Sequence, residues 1–154
     1  SDLEKYKMAA GVVDVKGPGV IVTVDDPIPT EEFSDEYSVI MLRYELLLSL
    51  VNKMKDAGAE AISINGQRMI VTTEISLAGD NVNINTVPTA PPYTIKAIGN
   101  PDTIESTLTI RFGIIEQMKN YGLRIDIKKK DEIEIPRYSG IIKYRYAEPV
   151  VEEE

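Results

Sequence analysis

The chain contains no cysteine and no histidine, and these two absences remove several chemistries at once. No disulfide, thiolate nucleophile, Ser/Cys-His pair, Cys/His zinc site or histidine-ligated haem can be built from these residues. Positive charge is in deficit as well. Seventeen Lys and Arg stand against 25 Asp and Glu, a net charge of −8 over 154 residues, which argues against a general affinity for nucleic acid or anionic lipid. The longest apolar stretch, Val39 to Val51, is interrupted by Arg43 and Glu45 and is too short to cross a bilayer. No charged-then-apolar leader opens the chain, and the lack of cysteine leaves its compartment undetermined.

What is present, 43% apolar residues, suffices for one core and one domain. Residues 1–10 read as the last turns of a helix, the end of an upstream helix or coiled coil, with Gly11 as its stop. Val12 to Lys16 alternates, Gly17-Pro18-Gly19 reads as a turn, and Val20 to Val24 is a buried strand. A helix follows, beginning between Ser34 and Ser38, with Ile40, Tyr44, Leu47, Val51 and Met54 at helical spacing. Leu42, Leu46 and Leu50 widen its apolar stripe beyond one narrow face, which fits either burial in the core or a surface shared with a second copy.

Ala59 to Ile64 is expected as a strand, Asn65-Gly66 as a tight hairpin turn, and Arg68 to Leu77 as the partner strand. Ala78 to Asn81 turns a second hairpin, and Tyr93 to Ile98 is another strand after a proline-punctuated connection. Asn100 and Pro101 start a helix that runs to about Tyr121, with a break expected between Ile110 and Gly113. Leu123 to Lys128 alternates as a half-buried strand. Lys129 to Glu132 reads as a turn into a short edge segment, Ile133 to Pro136. The order predicts an α+β fold: a mainly antiparallel sheet with two helices on one face, a ferredoxin-like split β-α-β with an inserted hairpin. The domain spans 11–146, and 147–154 is expected to be a disordered acidic tail.

Few groupings invite chemistry. Asp25, Asp26, Glu31, Glu32, Asp35 and Glu36 form an acidic segment without the spacing of a calcium loop, so the simpler reading is a solvated loop favouring a helix N-terminus. Gly17-Pro18-Gly19 precedes a strand and lacks the Gly-Lys-Ser/Thr of a phosphate loop. Carboxylate pairs such as Glu60 with Glu74, or Asp25 with Glu45, are not selected by any spacing. Asn65-Gly66-Gln67-Arg68 is a hairpin tip whose amide and guanidinium donors can hold a carboxylate, a phosphate or a carbonyl; the alternative is a turn whose polar groups satisfy neighbouring loops. Tyr138, Tyr144 and Tyr146, interleaved with Arg137, Lys143 and Arg145, read as a strand covering the sheet.

The segments Gly17 to Asp26, Val51-Asn52, Ala57 to Arg68, Pro91 to Tyr93 and Ala97 to Pro101 together resemble the bacterial domain of unknown function family 881, over about Ala10 to Tyr146. Asn100 stands where that family more often has aspartate, and Ile110 to Gly113 replaces a usual double glycine. Members are often labelled division-initiation proteins. The resemblance implies an extracytoplasmic domain, carried on a coiled coil behind an N-terminal transmembrane helix not present in this chain. It implies no catalytic residue, metal or cofactor. The expected function is a non-enzymatic interaction domain with a protein partner in the cell envelope or division machinery. Asn65, Gly66, Gln67, Arg68, Asp25 and Asp26 are its candidate surface. The alternative is a receptor for a small ligand or peptidoglycan fragment, with Tyr93 beside Asn65, Gln67 and Arg68.

Overall fold

The structure, a computed structural model, describes residues 1–30 and 37–151. Glu31, Glu32, Asp35 and Glu36 of the acidic segment, and Glu152 to Glu154 of the tail, lie outside the described residues. Helix α1 (Asp2–Ala10) opens on a capping box between Ser1 and Glu4 and ends at Gly11, whose left-handed φ of 78° closes it. Strand β1 (Val15–Asp25) follows, then α2 (Val39–Leu42) and α3 (Glu45–Asp56). Next come β2 (Ala61–Ile64), β3 (Gln67–Arg68), β4 (Ile75–Ala78), β5 (Asn81–Ile84), β6 (Val87–Thr89) and β7 (Tyr93–Ile98). Helices α4 (Pro101–Leu108) and α5 (Ile114–Asn120) and strand β8 (Arg124–Ile135) complete the order.

Five strands form one sheet in the order β3-β2-β7-β1-β8, every neighbour antiparallel, and β4-β5-β6 form a second. Without β3, the order β2-β7-β1-β8 is that of the split β-α-β fold, with β3 to β6 inserted between its second and third strands. The main core lies on the helix face. Val20, Val22 and Val24 of β1, with Tyr93, Ile95 and Ala97 of β7, meet Leu47, Leu50, Val51 and Met54 of α3 and Ile104, Leu108, Ile115 and Met118 of α4 and α5. Val82 and Ile84 join the small sheet to this core. A second cluster of Ala61, Ile98, Ile133 and Ile135, with Val15 and Ile21 against it, covers part of the opposite face.

Several expectations are corrected. Gly17-Pro18-Gly19 is not a turn but the bulged middle of β1, where the register against β8 shifts. Pro18 has no N–H to give a ladder but accepts from Gly99 N at 2.8 Å. A Cβ at Gly19 would run into the Ala97 carbonyl, so only glycine lets β1 pass β7 there. Lys129 to Glu132 is likewise no turn, since β8 runs unbroken for 12 residues. The partner strand expected over Arg68 to Leu77 shrinks to β3. Beyond it, Ile70 N donates to Thr73 Oγ1 at 2.7 Å and closes a turn before β4. The first long helix is interrupted between Leu42 and Glu45, whereas the break in the second falls at residues 109–113, as its poor helix formers predict. Tyr138, Tyr144 and Tyr146 lie in no strand.

Candidate functional site

The Asn65-Gly66 turn forms as expected, with φ of 47° and 79° at its two residues. Its side chains, however, serve the fold. Arg68 is 3% exposed. Its guanidinium donates to Met8 O at 2.9 Å, Val13 O at 3.1 Å and Pro136 O at 3.3 Å. One cation thus ties the end of α1, the entry to β1 and the exit from β8. Burial lowers its pKa and the nearby Asp14 charge opposes that. Asn65 Oδ1 accepts from Thr94 N at 2.7 Å, and its Nδ2 faces the carbonyls of Ala90 and Pro92. Gly66 is exposed and Gln67 half-buried; they are the parts of the tip left to solvent.

Tyr93 is fully buried and shares a 3.2 Å hydrogen bond with Thr89. Burial raises its pKa, the Thr89 bond opposes this, and the Asp26 charge adds to it. Asp25 pairs with Arg124 at 3.1 Å. Asp26 Oδ1 accepts from Ile40 N at 2.9 Å, which places its carboxylate at the start of α2. Asn65, Tyr93, Asp25 and Asp26 therefore share one end of the sheet, where Val24 pairs with Tyr93, Asp25 with Arg124, and Thr94 bonds Asn65, whereas the Arg68 guanidinium reaches the other end, at the start of β1 and the end of β8. They do not form a common pocket. Arg68 and Tyr93 are inside, and Asp25 and Asp26 are engaged with the chain itself.

The open site lies beside α2. A cleft of about 290 Å³ runs between Tyr37, Ser38, Met41 and Leu42 on one wall and Leu77, Gly79 and Asp80 on the other. Tyr37 is 64% exposed, Leu42 62% and Leu77 48%, so the cleft has an apolar rim open to solvent. Both walls are held. Ser38 Oγ accepts from Met41 N and Asp26 from Ile40 N, while Ile40 anchors α2 in the core. On the other side Val82 and Ile84 anchor the hairpin that presents Leu77 outward. The sequence carried one signal of this site, the leucine excess that included Leu42. It did not show that β4 and β5 would stand opposite.

Comparison with known proteins agrees with the fold. The family described as "Bacterial protein of unknown function (DUF881)" matches residues 2–148. The UPF0749 protein YlxW of Bacillus subtilis (strain 168) is 33% identical over 136 residues, covering 87% of this chain and 58% of that protein. The UPF0749 protein Rv1825 of Mycobacterium tuberculosis is 30% identical over 152 residues, covering 96% and 48%. The chain thus spans about half the length of the curated relatives it matches. The crystal structure of an uncharacterized conserved protein from Mycobacterium tuberculosis superposes with a TM-score of 0.75 at 27% identity, over 97% of this chain and 100% of that one. The protein described here belongs to the DUF881 family of bacterial proteins of unknown function.

Proposed function

We propose that this is a non-enzymatic interaction domain that takes an apolar segment of a protein partner into the cleft between α2 and the β4–β5 hairpin. The observation that carries this reading is the exposure of Tyr37, Leu42 and Leu77 around a concave surface whose two walls are fixed from within. A glycan site would need polar groups converging on a pocket, and here the polar groups of Asn65 and Arg68 are taken by backbone. We place the domain on the outer face of the cell membrane, with its partner in the envelope or division machinery. Helix α1 has no buried residue and is held at its C-terminal end, which suits a connector from a preceding segment.

The test is photocrosslinking in living cells from probes at Leu42 and at Gln67 of the full-length protein, with adducts read by mass spectrometry. A discrete protein adduct from Leu42, lost in Leu77→Asp, is the expected result. A glycan or small-molecule adduct, or none at Leu42, overturns the cleft as a protein site. Leu77→Asp should leave stability within about 0.5 kcal/mol, because the side chain is exposed. Protease added to intact cells stripped of their wall should digest the domain, and resistance there would overturn its location.

A further inference from the structure

Strand β8 is an edge. It pairs with β1 on both sides of an irregularity at Asp131 and Glu132, where the register shifts, and among the described residues no strand stands beyond it in the sheet order. A 12-residue edge is long for a sheet, and proteins guard such edges with lysine or bulges. The middle of β8 is guarded in this way by Lys128, Lys129 and Lys130. The second half carries Asp131, Glu132 and Glu134 outward, with Ile133 and Ile135 turned into the second apolar cluster. Lys16 faces these acids, 4.0 Å from Glu132 with both groups exposed.

The segment after β8 has the complementary pattern. Ile142, Tyr144 and Tyr146 alternate with Lys143 and Arg145, the period of a strand. Yet the segment pairs with no strand among the described residues, and Ile141, Tyr144 and Tyr146 are exposed. Set antiparallel to the end of β8, it matches at four successive positions. Ile142 falls opposite Ile135, Lys143 opposite Glu134, Tyr144 opposite Ile133 and Arg145 opposite Glu132. The residues that lead into the segment are tied to the stretch before β1, where Arg137 N donates to Asp14 Oδ1 at 2.8 Å and Tyr138 N to Gly11 O at 2.7 Å.

We propose that residues 141–146 add as a strand to the β8 edge of a second copy of this chain, and that two copies exchange these segments reciprocally around a two-fold axis. The exchange pairs a basic strand with an acidic edge and extends the Ile133–Ile135 cluster over that edge. It requires neither the α2 cleft nor any other partner.

Light scattering of the purified chain during size-exclusion chromatography tests this. The expected species has twice the mass of one chain, and a variant ending at Ser139 has the mass of one. Lys143→Glu with Arg145→Glu, and separately Glu132→Lys with Glu134→Lys, should each weaken dimerisation about tenfold or more. Mixing the two reversed variants should restore the dimer, because both contacts are then of opposite charge. Circular dichroism confirms that each variant is folded. A monomeric native chain, a dimer that survives loss of the tail, or reversed variants that fail to recombine would each overturn the proposal.

Discussion

Arg68 shows how one residue can look like a hook for a ligand and be a clasp for its own chain. Three carbonyls from separate parts of the sequence, Met8, Val13 and Pro136, converge on it, and its own carbonyl accepts from Asn85 Nδ2 at 2.9 Å. Arg68→Met would leave those carbonyls without their donor in a buried site. The expected loss is about 3 kcal/mol by denaturant unfolding. Hydrogen exchange should rise at the amides of Arg137 and Tyr138, whose partners Asp14 and Gly11 lie in the clasped segment. A loss near zero with unchanged exchange would mean that the guanidinium is free to serve a partner. The residue's polarity was legible in the sequence, but its inward direction was not. That direction depends on residues 55 to 68 positions away, beyond any local pattern.

At the scale of elements, local rules held where the cause was local. Asn65-Gly66 turns because both residues tolerate positive φ, and Asn100 caps α4 through Thr103 N at 3.1 Å. They failed where a distant strand decided the outcome. Gly17-Pro18-Gly19 has the composition of a turn, yet pairing with β7 on one side and β8 on the other keeps it extended. The start of α2 likewise depends on Asp26, 14 residues earlier in the chain. The two glycines at Gly19 and Gly58 separate these causes. Gly19→Ala places a methyl group on the Ala97 carbonyl and should cost at least about 3 kcal/mol. Gly58→Ala meets nothing and pays only for its φ of 89°, about 1 kcal/mol. Thermal unfolding of the two variants checks the order, and equal losses would show that β1 can move away from β7.

For the whole molecule, the fold class was legible because strand, helix and hairpin signals follow one another in an order that few topologies accept. The cleft was not, because its walls come from α2 and from a hairpin inserted far along the chain. A global property follows from two groups whose pKa values are both raised. Tyr93 is raised chiefly by burial, and Lys129 chiefly by its hydrogen bond to Asp102, 3.1 Å away, with Glu105 adding to it. For Tyr93 the folded chain keeps a proton that the unfolded chain releases near pH 10, so stability falls as pH rises past that value. For Lys129 the stabilisation is complete below the unfolded value near 10.4 and is lost as pH climbs through the folded one. The signs agree, and the urea midpoint should drop above about pH 10. Tyr93→Phe should cost about 1 kcal/mol at neutral pH, through the lost Thr89 bond, and should flatten that alkaline fall. Any alkaline change common to both proteins cancels in the comparison. Parallel alkaline curves for the two proteins would mean that Tyr93 reaches water before the fold opens.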